Sequence, residues 1–470
     1  MGTELWRYGA GELAGMIADK EVSSREVVDA HLDRIAEVNP HLNAIVRLLA
    51  DEARVGADAA DRTQASGRVL GPLHGVPFTI KENIDLAGTP TTNSLPAFAD
   101  AMAATDAPIV ERMKAAGAIA IGRTNLPDLG LRVSTSSSLH GLTRNPWHPD
   151  RTAGGSSGGE ASALASGMSP IGMGNDIGGS LRNPAHCCGI ASIKPTQLRV
   201  PHATVVPPED GMLTAQFMLS NGPMARSVAD VRLGLQIIAG AHRRDPYSAS
   251  VPLDGMGPTT GKLRIGVVAD PAGTPTHAHV SSSVRTAADA LSNAGHHLHD
   301  VELPRFTDIA QLWGAWLAAD VRTMLPLLEM VMGPDAISFL RMNEEATPHT
   351  SVDEYIAMQT TRQTIAREWA AFFADYDAVV LPVWTHPAFT HDADIASAEA
   401  VAHTLDQLRP VLPANLLGLP AVVVPTAIHD GLPMGVQIMA DRWQDLTALA
   451  VAEDIERAVG RFTPIDPVLA

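Results

Sequence analysis

The chain has 470 residues, with 34 basic against 52 acidic side chains and a formal net charge of −18, so it lacks the positive field that phosphate-backbone binding as a main activity requires. Its apolar stretches stay well short of the ~18 residues of a membrane span or are interrupted by proline, and residues 1–20 have no signal-peptide core, so a soluble cytoplasmic protein is expected. The 39 glycines and 34 prolines are scattered among apolar segments instead of pooled in a linker, which favours one large domain over residues 1–470.

Ser23-Ser24-Arg25-Glu26 has the form of a capping box, Ser23 at the N-cap and Glu26 at N3, opening a helix whose Val28, Leu32 and Ile35 share one face. The apolar, partly β-branched run Val76-Pro77-Phe78-Thr79-Ile80 predicts a buried strand that delivers Lys81 at its end. Ala107 to Ala116 predicts a helix stopped at Gly117, followed by a strand over Ala118-Ile119-Ala120-Ile121. Further buried strands are predicted at 263–268, 378–381 and 421–424, with a helix-like run from Val284 to Leu291 and a strand at Val301-Glu302-Leu303. Residues 305–375 are helix-rich and carry Phe306, Trp313, Trp316, Met324, Met330, Met332 and Phe339, residue types that more often fill a core than line a pocket. Alternating helices and strands predict an α/β fold, a central mixed β-sheet sandwiched by helices.

Two glycine-cradled serines stand out: Gly154-Gly155-Ser156-Ser157-Gly158-Gly159, and Gly174-Asn175-Asp176-Ile177-Gly178-Gly179-Ser180. Glycines let the backbone take φ > 0 and bring its N–H groups close to a ligand, so the N–H groups of Ile177, Gly178, Gly179 and Ser180 can turn toward an oxyanion beside the Ser180 hydroxyl. A serine hydroxyl needs a base, and neither loop holds a histidine. Lys81, if buried, would lose its ammonium character and could serve, giving a hydrolase without a histidine. Asp176 and Arg182 flank the second loop, either to polarise it or to brace it as an ion pair.

Competing readings explain less. Gly155-Ser156-Ser157-Gly158-Gly159 satisfies G-x-S-x-G and would make Ser157 a nucleophile, but it leaves the second loop and the lysine without purpose. Gly172-Met173-Gly174 with Gly178 misses the dinucleotide spacing by one residue, and residues 196–206 hold no acid for a ribose. His296, His297 and His299 have no second cluster with ligand spacing, so alternating exposure at a strand start accounts for them and no metal is expected. The adjacent Cys187 and Cys188, the two cysteines of the chain, read as buried free thiols compatible with a reducing compartment.

Together with Gly71-Pro72-Leu73-His74-Gly75 leading into the strand of Lys81, Thr143-Arg144-Asn145-Pro146-Trp147 ahead of the first serine loop, Leu181-Arg182-Asn183-Pro184-Ala185 and Ile193-Lys194-Pro195-Thr196 after the second, and Gly418-Leu419-Pro420-Ala421 through Gly431-Leu432-Pro433-Met434-Gly435-Val436-Gln437, these motifs resemble the amidase signature family. The likeness covers roughly residues 5–245 and 375–460, with a core at 60–245 and 375–460 and a variable, substrate-covering segment at about 305–375. It implies the family's fold, Ser180 as nucleophile, Ser156 as bridging serine behind a cis peptide bond, Lys81 as base, and Ser157 as a hydrogen-bonding support for the lysine. It further implies an acyl-enzyme amidase acting on a small-molecule linear amide with no cofactor; the alternative is the amidase subunit of a tRNA-dependent amidotransferase. The expected partner is the amide alone, with neither nucleic acid nor membrane, and a homodimer stays open. Ala153, Glu160 and Asn175 depart from the family's usual proline, small residue and threonine, and Asn175 changes the hydrogen bonding around the bridging serine.

Overall fold

A computed structural model describes residues 4–273 and 275–469. Eleven strands form one sheet: β1 (Ile45–Leu48), β2 (Pro77–Lys81), β3 (Ile119–Thr124), β4 (Ile171–Asp176), β5 (Ala191–Lys194), β6 (Ser220–Ala225), β7 (Arg264–Val267), β8 (His297–Asp300), β9 (Ala378–Pro382), β10 (Ala421–His429) and β11 (Leu432–Met439). Their spatial order is β1-β3-β2-β4-β6-β5-β10-β11-β9-β7-β8. The runs β3-β2-β4 and β9-β7-β8 are parallel, and the other pairs are antiparallel. This is the mixed sheet that the alternating pattern predicts.

Side chains alternate across a strand, so a sheet buried on both faces shows two cores. Val380 of β9 and Val422 and Val424 of β10 join one apolar cluster, with the helices Ala10–Ala18, Val228–Ile238 and Asp445–Val459. Val379 and Leu381 of β9 and Ala421 and Val423 of β10 join another, with Trp313, Trp316 and Trp369 of the helices Phe306–Val331 and Val352–Asp375. The hairpin between β10 and β11 turns through Asp430 (φ 50°) and Gly431 (φ 76°), the two left-handed residues that match the twist of paired strands.

Local signals read as expected where they are chemical. Ser23 accepts the Glu26 N–H and the Glu26 carboxylate takes the Ser23 N–H, opening the helix Ser24–Leu42 with Val28, Leu32 and Ile35 buried. The helix Pro108–Ala115 stops before Gly117, whose φ is 91°. One strand is displaced from its expected place: it spans His297–Asp300 and not residues 301–303. Its parallel register against β7, Arg264 with His297 through Val267 with Asp300, fixes its start, and the Val301 N–H to Val267 carbonyl bond closes it.

Candidate active site

Lys81 is the last residue of β2, a strand buried along its whole length between parallel neighbours. Adjacent β4 ends in Asn175 and Asp176 at the same edge. The carboxyl ends of parallel strands are where α/β sheets gather their chemistry, because the chain leaves there in loops instead of ladders. From β4 the chain runs through Ile177-Gly178-Gly179-Ser180 into the helix Arg182–Cys188, and the other serine loop opens the helix Gly158–Ala165. The Ser157 N–H donates to the Ser180 carbonyl at 3.2 Å, which stitches the two serine loops together. The Gly155–Ser156 peptide is cis, as the resemblance implies.

The Lys81 Nζ donates to Ser156 Oγ at 2.7 Å and to Asn175 Oδ1 at 2.8 Å. Asn175 gives its own N–H to Asn83 Oδ1 at 3.0 Å, so its oxygen is the atom turned to the lysine. The amide that replaces the usual threonine therefore supplies an acceptor that orients the amine. Burial lowers the Lys81 amine to about 7, against the opposing pull of Asp176 and Glu160. The Ser157 hydroxyl, expected to support the lysine, donates instead to the Asn175 carbonyl at 3.4 Å, while the Lys81 Nζ bonds Ser156 and Asn175.

Asp176 and Arg182 are both fully buried and form a bidentate pair, Nε to Oδ2 and Nη2 to Oδ1 at 3.0 Å each. The guanidinium also donates to the Val411 carbonyl, Gln437 and Asn415, and it is the main neighbour holding the Asp176 carboxyl well below the usual range although burial pushes the other way. The pair braces the loop. Asp176 further accepts the N–H groups of Gly179 at 2.8 Å and Leu181 at 3.1 Å. The Gly179 N–H, one of the four donors expected at an oxyanion, is thus committed to Asp176. Among the described residues no acceptor bonds the N–H groups of Ile177, Gly178 or Ser180. Gly179 has φ 98°, and a Cβ on Gly178 would sit 2.5 Å from Trp313 Cζ2, so both positions need glycine.

Ser180 opens onto an apolar cavity walled by Trp313, Leu317 and Val321 of the helix Phe306–Val331, by Phe339, Leu340 and Asn343 of Pro334–Ala346, and by Leu405, Leu408 and Leu412. The Trp313 Nε1 donates to the Ile177 carbonyl at 3.1 Å and ties this wall to the nucleophile loop. Trp316 and Met332 do not line the cavity. Trp316 is buried against Phe217 and Tyr355, and Met332 packs in a core with Leu95. Nothing in the local sequence marks Leu405, Leu408 and Leu412 as walls; they reach Ser180 only through the fold.

The remaining candidates lie elsewhere. His296 bonds Asp454 at 2.9 Å and accepts the Leu263 N–H, while His297 and His299 are exposed on the edge strand β8, the alternation expected. Among the described residues no group of three or more His, Cys, Asp or Glu is placed to hold a metal ion, and no helix is long and apolar enough to cross a membrane. Cys187 and Cys188 are free and buried behind the nucleophile loop, as expected, with burial raising both thiols.

A family model described as Amidase matches residues 26–449. The indoleacetamide hydrolase of Bradyrhizobium diazoefficiens is 41% identical over 461 residues, covering 97% of this chain and 87% of that protein. A glutamyl-tRNA(Gln) amidotransferase subunit from a Synechococcus strain is 33% identical over 479 residues, covering 94% of this chain and 95% of that protein. Among solved structures, a bacterial aryl acylamidase belonging to the amidase signature enzymes superposes with a TM-score of 0.84 at 28% identity, covering 97% of each chain.

Proposed function

This chain belongs to the amidase signature family and hydrolyses a small-molecule carboxylic amide, and from that premise we propose that it does so through an acyl-enzyme on Ser180. Neutral Lys81, oriented by Asn175, takes a proton through Ser156 as Ser180 attacks the carbonyl. The N–H groups of Ile177, Gly178 and Ser180 hold the oxyanion. The same relay returns the proton to the leaving amine, and water then releases the carboxylate, with no cofactor in either half-reaction. The observation that carries this reading is a fully buried lysine, lowered to about 7, lying 2.7 Å from Ser156 in a loop bonded to the Ser180 backbone.

The substrate we propose is a primary arylacetamide that releases ammonia, covered by the helices Phe306–Val331 and Pro334–Ala346. Two facts support it: an apolar cavity with aromatic walls suits a flat aromatic acyl group, and the relative at 41% identity is an indoleacetamide hydrolase. The amidotransferase reading has the weaker support of a relative at 33% identity. The two free, buried cysteines suit work in the cytoplasm.

Purified chain, without partners, should release ammonia from arylacetamides with a higher kcat/KM than from glutamine or short aliphatic amides. Turnover of glutamine alone, or only with a partner added, would favour the amidotransferase reading. Equal rates on all amides would remove the arylacetamide assignment while leaving the acyl-enzyme intact.

A further inference from the structure

Glu160 stands where the family usually has a small residue, and the fold places its carboxyl against the strands that carry and flank Lys81. The Thr79 hydroxyl donates to Glu160 Oε1, and the Thr124 hydroxyl donates to Oε2 at 2.8 Å. Thr79 lies two residues before Lys81 on β2, so its side chain shares the lysine's face of the sheet. Thr124 is the register partner of Lys81 on β3, and Gly172 of β4 is the partner of Thr79. A Cβ on Gly172 would sit 1.7 Å from Glu160 Oε1. Three neighbouring strands thus form a cradle of two hydroxyls and one missing side chain, shaped to this carboxyl, on the face from which Lys81 projects.

We propose that Glu160 is a positioning residue of the hydrolysis: its carboxyl, moored by Thr79 and Thr124 on the sheet face that Lys81 shares, sets the proton balance of the base without touching substrate. The inference rests on Lys81 acting as that base. Asp176 of β4 and Glu160 of the helix Gly158–Ala165 are the charged groups that act on Lys81. Asp176 is already engaged by Arg182 and lies near Lys194, whereas among the described residues Lys81 is the charged neighbour that acts on Glu160. Burial pushes the Glu160 carboxyl up to about 7 and the Lys81 amine down to about 7. The Glu160 carboxylate thus favours the Lys81 ammonium, against the burial that disfavours it. With the carboxylate removed, desolvation of the ammonium is less opposed, and the amine loses its proton at a lower pH.

The test is the pH dependence of kcat/KM in Glu160→Gln, which keeps the shape and an acceptor for the threonines but not the charge. The acidic limb should move to lower pH by about one unit, and Glu160→Asp, which restores the charge, should move it back toward the wild-type position. A merely structural role would lower the rate or the melting temperature and leave the limb in place. A folded Glu160→Gln enzyme with an unmoved limb overturns the inference. Should that variant fail to fold, Thr124→Val removes one mooring donor, weakens the carboxylate and should shift the limb in the same direction; no shift there also overturns it. Lys81→Ala separates the two readings: if it retains the wild-type rate, the base assignment is wrong, and if it is inactive while the Glu160→Gln limb stays put, this inference alone is wrong.

Discussion

Lys81→Arg keeps a cation and hydrogen-bond donors in the buried pocket but cannot give up its proton near neutral pH. In the native protein, burial lowers the Lys81 amine from 10.5 to about 7. At pH 7 an ordinary lysine is unprotonated in about 3 molecules in 10⁴ and Lys81 in about half, so burial enlarges the fraction of working base by about 10³-fold. Measured as kcat/KM for an arylacetamide between pH 5 and 9, activity should rise about tenfold per unit up to pH 7 and then level off, leaving about one hundredth of the plateau at pH 5. Lys81→Arg and Lys81→Ala should each lose at least about 10²-fold across the whole range. The same shift has a sign for stability. Because the folded value lies below the unfolded one, the unfolded chain binds the extra proton between pH 10.5 and about 7, and stability from this group is lost as pH falls through that window. Urea unfolding of Lys81→Met should therefore vary less between pH 7 and 9 than that of the wild type. A wild-type rate that is flat from pH 5 to 9, or a Lys81→Arg enzyme that keeps its rate, would refute the reasoning.

A fluorophosphonate should label Ser180, and Ser180→Ala should abolish both labelling and turnover; peptide mapping of the adduct to Ser157 would instead support the G-x-S-x-G reading. Leu317→Ala should change the ranking of amides by bulk while small-probe labelling persists, whereas Trp316→Ala should cost about 3–5 kcal/mol of stability with the ranking intact, a contrast read by kinetics and by chemical denaturation together. Arg182→Ala leaves the buried Asp176 unpaired and should destabilise by about 3–5 kcal/mol, seen as a lowered denaturation midpoint; an unshifted midpoint would mean the pair does not brace the loop. Chelators should leave the wild-type rate unchanged, and a loss of activity restored by added metal would contradict the proposed chemistry.

Much of the site was legible in the chain because its signals are local. Glycine pairs around Ser156 and Ser180 state where the backbone must take unusual conformations, and a β-branched run ending in Lys81 states where a strand must deliver a side chain. The capping box of Ser23 and Glu26 and the stop at Gly117 are equally local, since a few adjacent groups satisfy their own hydrogen bonds. Alternation of such elements was enough for an α/β sheet.

What the chain alone left undetermined depends on which strands lie side by side. The bond from Lys81 to Asn175 exists because β2 and β4, far apart in sequence, are neighbours in the sheet. The Asp176 carboxylate takes one of the four expected oxyanion donors because the turn after β4 folds back on that strand's end. Trp313 lines the cavity and Trp316 fills the core for the same kind of reason, a rotation of three residues about one helix axis that packing against Phe217 and Tyr355 settles. Residue types and their spacing determined the chemistry available to this protein. Strand register and helix docking decided which groups meet, because burial and hydrogen-bond partners are properties of neighbours in space and not of neighbours in the chain.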